Sequence, residues 1–262
     1  MNFRRCDRRL LLALWVALAA AAVAEDSVRP PTPLAVDAIV NRLMAANARR
    51  ARDLRGYRGK RTYRLDYHGL FGSHHAEMQV EAVYNAPDSK SFRVVSRSGS
   101  TLLVNRVLLK LLASEQQAQQ EQNRQQLEIS PQNYQFTLEG MQHAPDGDFY
   151  LLDLAPRSKS PYVYRGKIWV DARDFAVARM QGEPAKNPSL WVSHTYMEYR
   201  WARFGEFWLP ISNHSLTQVR MGGKADLTID YGEYQIQVSA SGDHPSPGQS
   251  LPDPSAVTAD PH

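Results

Sequence analysis

The sequence predicts an α+β fold: a curled antiparallel sheet, an unclosed half-barrel of about ten strands, covered by an N-terminal helix and a mid-chain helix. Three observations predict it. Most of residues 57–236 alternates apolar and polar side chains, as half-buried strands do. Short turns with Gly, Pro or Asp join these stretches, which favours antiparallel pairing. Two stretches have helical spacing instead.

Both ends of the chain differ in composition from its middle. Residues 1–24 have a basic start, an uncharged apolar run and the small residues Ala22 and Ala24. They predict a signal peptide cleaved after Ala24 and a periplasmic protein. Residues 25–34 are expected to be a linker, 35–238 one domain, and 239–262 a disordered tail. Cys6 would leave with the signal, so no disulfide is expected.

The net charge argues against a nucleic-acid partner. The chain carries a formal charge of +4, of which residues 1–24 supply +3 through four Arg and one Asp. The remaining +1 gives no surplus of positive charge to neutralise phosphates.

Two stretches have the spacing of amphipathic helices. The first covers about residues 36–54 and should stop at Gly56. The second runs from residue 101 to about 126, with Ser98 or Ser100 as a candidate cap. Its first half is a wide apolar stripe, and from Ser114 it turns into Gln and Glu. It is either a buried core helix or a lid that is apolar beneath and hydrophilic at its tip.

Two helices cannot fill the inner face of ten strands, so a mouth or cavity lined by apolar and aromatic side chains is expected. Such a cavity suits an acyl chain better than a polar substrate. The residues whose phase places them on the apolar faces are the candidate ligand-binding residues. They are Tyr57, Arg61, Tyr63, Leu65, Met78, Val80, Leu108, Leu112, Tyr164, Trp191, Met197 and Tyr199.

Arg61 is the one charged member of this set, and an unpaired charge on an apolar face is costly. It either reaches the sheet edge or pairs with a nearby acid. Alternatively, it holds a lid helix through backbone carbonyls or meets a ligand headgroup.

Motifs of catalysis are missing from the sequence: it contains no nucleophile elbow, P-loop, dinucleotide fingerprint or HExxH. We therefore expect no enzyme and no cofactor. His68, His74 and His75 could suggest a metal, but adjacent strand residues point to opposite faces. We expect them in a surface loop, without a metal.

The hairpin at residues 162–184 carries two aspartates in its turn, Asp171 and Asp174. Turn capping explains them better than catalysis, because no Ser or His motif lies nearby. Strand alternation places Trp169 on the same face as charged residues. It is either an exposed aromatic on a partner-facing surface, or it is turned inward by a bulge near Gly166.

This order of elements resembles the LolA-like family of periplasmic lipoprotein carriers and outer-membrane lipoprotein-sorting proteins. The resemblance covers roughly residues 36–236. It rests on YNAPDSKSF (84–92), GKIWVD (166–171), VARM (177–180), EFWLP (206–210) and IDY (229–231).

The resemblance implies a carrier of lipid or of the acyl chains of lipoproteins, with a possible inner- or outer-membrane protein partner. The alternative is a lipid- or lipoprotein-sensing module of an envelope-stress pathway. We expect a monomer in either case.

Overall fold

The computed structural model describes residues 34–70, 72–87, 89–118, 125, 127–187, 192–220 and 222–238. The predicted signal peptide, most of the linker, the C-terminal tail and Trp191 lie outside these residues. So does most of the Gln-rich stretch after residue 118.

The elements follow one another with short connections. They are α1 (Val36–Asp53), β1 (Leu54–Gly69), β2 (Gly72–Asn85), β3 (Ser89–Gly99), α2 (Thr101–Leu103), a π-helical turn (Val104–Leu108), α3 (Leu109–Ala118), β4 (Tyr134–Ala144), β5 (Gly147–Pro156), β6 (Tyr164–Asp171), β7 (Val177–Pro184), β8 (Val192–Phe204), β9 (Phe207–Val219) and β10 (Gly223–Val238). Among the described residues, no helix has the length and apolarity to cross a membrane.

The ten strands form one antiparallel sheet in the order β3-β2-β1-β10-β9-β8-β7-β6-β5-β4. Strands β3 and β4 are its edges and do not pair with each other, so the sheet is not closed. The predicted fold class is therefore confirmed. The first and last strands of the chain, β1 and β10, lie side by side inside the sheet, where Tyr63 is opposite Ile229.

The helices pack on one face of this sheet, which we call the covered face. Helix α1 packs through Ile39, Val40 and Leu43 on the half formed by β4–β7. Residues 101–118, which we call the mid-chain segment, pack on the half that contains β1 and β2, through Leu103, Val104, Leu108 and Leu112. A third cluster joins Leu54 and Tyr57 to Phe207 and Leu209.

Two local predictions were wrong. Helix α1 ends at Asp53, before Gly56, which lies in β1. A Cβ at Gly56 would come within 2.6 Å of the Tyr84 carbonyl oxygen, so the close strand approach requires glycine there. His74 and His75 lie in strand β2 and not in a loop. His75 Nδ1 is 2.8 Å from Asp66 Oδ1 on the exposed face.

Candidate functional site

The candidate site is the covered face beneath the mid-chain segment. Tyr63, Met78 and Leu108 are completely buried there, so the segment fills the space that the sequence predicts as a cavity. The mid-chain segment therefore covers this part of the sheet.

Arg61 of β1 binds Glu115 of α3 in this covered part of the sheet. Its Nη1 donates to Glu115 Oε1 at 3.0 Å and to Oε2 at 2.8 Å, and it lies 3.3 Å from the Tyr63 hydroxyl. Lys90 of β3 also contacts Glu115 Oε1. The predicted pairing of Arg61 with an acid is therefore confirmed, and the bond to the helix runs through this side-chain carboxylate rather than through backbone carbonyls.

Aromatic rings surround the Arg61 guanidinium. Its central carbon lies 5.0 Å from the centre of the Phe92 ring and 4.9 Å from that of Tyr231. Arg61 is only 4% exposed, whereas Glu115 is 28% exposed. The rings and the carboxylate replace the water that a buried guanidinium loses.

The charges of this cluster stabilise one another. Burial raises the pKa of Glu115, but Lys90 and Arg61 outweigh it and hold the pKa below its ordinary value. Burial lowers the pKa of Arg61, but the attraction of Glu115 outweighs it, so the pKa is raised. Glu115 stays ionised at neutral pH and fixes α3 to the sheet.

The mid-chain segment has a defined start and an irregular middle. Ser100 Oγ accepts a hydrogen bond from the Leu103 N–H at 3.4 Å, which confirms one of the two predicted caps. A π-helical turn follows over Val104–Leu108. Such turns interrupt regular helices and are frequent at functional sites. This one sets the phase that brings Leu108, Leu112 and Glu115 onto the sheet.

A polar centre lies between the areas covered by the two helical segments, on strands β8 and β9. Its side chains Thr195, Asn213 and Ser215 are buried. Tyr199 of β8 is directly opposite Asn213 of β9 in this centre. Burial raises the pKa values of Tyr164 and Tyr199, so both hydroxyls keep their protons at neutral pH.

The structure brings most of the predicted site residues together. Six of them, Tyr63, Leu65, Met78, Val80, Leu108 and Leu112, form one cluster under the mid-chain segment, with Arg61 beside it. Tyr164 and Tyr199 pack against the α1 cluster, and Met197 lies two residues before Tyr199 on the same face of β8. Tyr57 belongs to the third cluster, and Trp191 is outside the described residues.

Sequence reasoning missed Glu115, Lys90 and Asn213. Glu115 could have been found, because it stands seven residues after Leu108 and three after Leu112, on the same helical face. Asn213 shares its phase with Ser215 in a strand of alternating burial. Lys90 carried no such signal, since its partner is on a distant helix.

The hairpin that joins β6 and β7 performs a structural role. Asp171 Oδ1 accepts hydrogen bonds from the N–H groups of Arg173 and Asp174, at 2.9 and 2.7 Å, which is turn capping. Asp174 instead accepts from the Trp208 indole at 3.0 Å. Trp169 faces away from the covered face, because both of its neighbours, Ile168 and Val170, belong to the α1 cluster.

On the outer face Trp169 lines a cleft of about 250 Å³ together with Phe149, Trp201 and Trp208. Its indole donates to Gln142 at 2.7 Å, and the Arg179 guanidinium lies 4.7 Å from its ring centre. Among the described residues, no group of three or more His, Cys, Asp or Glu side chains could hold a metal ion.

Comparisons with known proteins find similarity only in solved structures. No family model matches the chain, and no curated protein matches it. A putative outer membrane lipoprotein-sorting protein domain from Vibrio parahaemolyticus is 11% identical, with a TM-score of 0.38; the match covers 74% of this chain and 92% of that one. A LolA superfamily protein from Nitrosomonas europaea is 10% identical, with a TM-score of 0.31, over 78% and 94% of the two chains.

Another match is the MucA/MucB complex of Pseudomonas aeruginosa, at 10% identity and a TM-score of 0.24, over 77% of this chain and 99% of that one. At these values no functional conclusion rests on the matches. One of these similar structures is a protein of the LolA superfamily, the family that the sequence resembles.

Proposed function

We propose that this protein is a periplasmic carrier that binds lipid, or the acyl chains of a lipoprotein, on the covered face of its sheet. One observation carries the proposal: a buried apolar face lies under a helical segment whose ionic attachment to the sheet runs through Glu115. In this role the mid-chain segment is a lid, and no bond is made or broken.

The free energies of acyl-chain burial and of lid displacement suit reversible binding. Burial of one CH₂ group contributes about 0.8 kcal/mol, so an acyl chain of about twelve such groups gains about 10 kcal/mol. Displacing the lid exposes Leu108 and Leu112 and breaks the contacts of Glu115. A broken buried ion pair costs about 3–5 kcal/mol. The free energy gained by burying the acyl chain and the free energy lost by displacing the lid are of similar size, so a ligand can enter and leave.

The N-terminal sequence supports the proposed location. Its basic start, apolar run and small residues before residue 25 are those of an exported protein. A carrier for acyl chains is needed where these chains must cross water between two membranes.

Displacement of an apolar dye tests the proposal. An anilinonaphthalene sulfonate dye should bind the purified protein and be displaced by an acylated peptide, whereas the same peptide without its acyl chain should leave it bound. Native mass spectrometry of the exported protein should show a bound lipid. Absence of both signals, also in a variant with a weakened lid, would contradict the carrier function.

The lid variant is Glu115→Gln, which keeps the size of the side chain and removes its charge. It should bind the dye faster, because the lid opens more often. Glu139→Gln is the matched control, since Glu139 pairs with Lys167 at 2.6 Å between exposed strands and touches no helix. Equal dye-binding rates in the two variants would argue against lid opening at Glu115.

A second function is favoured by the outer aromatic cleft at Trp169. Aromatic and Arg side chains are enriched where proteins bind one another. In this alternative the protein senses lipid on the covered face and passes the signal to a membrane-protein partner. A pull-down from envelope membranes should then recover a regulator with the wild-type protein and lose it with Trp169→Ala.

A further inference from the structure

A row of residues that lie directly opposite one another on neighbouring strands, which we call the rung, crosses most of the sheet. Tyr199 of β8 is opposite Asn213 of β9, and Asn213 is opposite Ile229 of β10. The rung continues on both sides through apolar or aromatic side chains. Its other members are Leu138, Leu152, Ile168, Met180, Tyr63 and Met78. Asn213 is therefore the single amide in this rung of the covered face.

Asn213 has an unused hydrogen-bond acceptor. The side chain is 5% exposed, and its Oδ1 has no hydrogen-bond partner in the protein. Tyr199 lies directly opposite it on β8. A buried acceptor without a partner lowers stability, so a structural role alone does not explain an amide at this position.

Polar side chains continue from Asn213 in the same part of the covered face. Tyr164 and Tyr199 both pack against the α1 cluster. Thr195 Oγ1 and Thr217 Oγ1 lie 3.1 Å apart on the neighbouring positions of β8 and β9. The apolar clusters under the two helical segments lie on either side. The centre thus offers hydrogen bonds within a face that otherwise buries hydrocarbon.

We propose that Asn213, together with Tyr199, is a recognition site for the polar group of the bound lipid, and that this group carries an N–H or O–H donor. The inference rests on the proposed lipid-binding function and names the class of ligand: lipids with an amide or a hydroxyl group next to the acyl chain. The acyl chain lies on the adjoining apolar face.

The chemistry of the site separates this class from others. The N–H of an amide or the O–H of an alcohol donates to Asn213 Oδ1, while the amide carbonyl or the alcohol oxygen accepts from the tyrosine hydroxyls. An ester of the same length has no donor and leaves Oδ1 without a partner. A carboxylate also has no donor, and the nearby cation Arg61 is already occupied by Glu115. Sites that leave a buried polar group unpaired discriminate strongly against the ligand that lacks the partner.

The experiment compares dodecanamide and dodecanol with methyl dodecanoate as competitors of the anilinonaphthalene sulfonate dye. The wild-type protein should bind the amide and the alcohol about tenfold more tightly than the ester, which is the effect of one hydrogen bond to a buried acceptor. Asn213→Leu should abolish the preference and still bind the dye. Ser212→Ala, at the adjacent position on the opposite face of β9, is the control and should retain the preference.

The possible results test the Asn213 recognition site and the carrier function separately. Equal affinities for amide and ester in the wild type, or an unchanged preference in Asn213→Leu, would overturn the site. A wild-type protein that binds no dye contradicts the carrier function itself. Asn213→Leu should also leave the urea midpoint unchanged or raise it, whereas a structural role for Asn213 predicts a fall. Should this variant not fold, Asn213→Ala is measured in the same way.

Discussion

Glu115 of helix α3 accepts a hydrogen bond of 2.8 Å from the guanidinium of Arg61 on the inner strand β1. The contact joins the third strand of the sheet to the helix that covers it. Since Arg61 is almost completely buried, the carboxylate is both its counter-charge and the anchor of the helix. Stability and closure of the site therefore depend on the same pair.

Removal of the Glu115 charge should destabilise the fold. Glu115→Gln leaves Arg61 buried without its counter-charge, so the free energy of unfolding should fall by about 2–3 kcal/mol, less than for a fully buried pair. Urea denaturation measures it. The control Glu139→Gln breaks an exposed pair and should lose less than about 1 kcal/mol. Equal losses would show that Arg61 does not depend on Glu115.

Acid should weaken the outer face of the sheet through Glu198. Burial raises the pKa of Glu198, but contacts with Gln181, Arg200 and Arg179 outweigh it and lower the pKa from 4.5 to about 2. A depressed pKa stabilises the folded state above pH 4.5, and this contribution is lost as the pH falls towards 2.

The Glu198→Gln variant tests this pH dependence. Its urea midpoint should lie below that of the wild type at pH 6, and the difference should shrink as the pH falls through that window. Parallel midpoint curves at all pH values would contradict the role of the Glu198 charge.

Packing under the mid-chain segment should be sensitive to truncation. Leu108 is completely buried, so Leu108→Ala should lower the free energy of unfolding by about 2–5 kcal/mol. Leu102 lies in the same segment but is 67% exposed, so Leu102→Ala should change it by less than about 0.5 kcal/mol. Similar effects of the two changes in urea denaturation would show that the segment does not pack on the sheet as described.

The facing glycines of β6 and β7 should not tolerate a side chain. Gly166 is opposite Gly182, and a Cβ at Gly166 would lie 2.0 Å from the Gln181 carbonyl oxygen. Overpacking and the positive φ of Gly166 should together make Gly166→Ala lose about 2–4 kcal/mol. Gly232→Ala is the control, because no atom lies within 4 Å of its added Cβ. A thermal melt compares them, and equal melting temperatures would refute the argument.

The sequence predicted the strands and helices whose apolar residues recur at regular spacing. Alternation placed Tyr63, Leu65, Met78 and Val80 on the covered face, and the structure buries all four. Helical spacing likewise placed Leu108 and Leu112 on the sheet. These positions follow from the geometry of one strand or one helix, so they need no knowledge of the partner.

Contacts between distant elements were not predictable in this way. Lys90 and Arg61 are far from Glu115 in the chain, and nothing in a local pattern states that the three side chains meet. For the same reason, the sequence left open whether the mid-chain helix is a buried core helix or a lid. The spacing of apolar residues shows which face of the helix is apolar, but not whether that face fills the space between the helix and the sheet.

The pairing of β1 with β10 also governs how the protein forms. Leu54 at the start of β1 is opposite Val238 at the end of β10, so the two halves of the sheet join only when almost the whole chain is available. Pairing of such distant segments makes folding slow. Until β10 pairs with it, one edge of β1, with Tyr63 and Leu65, can pair with strands of other chains. The unfolded chain should therefore be prone to association until its last strand has paired.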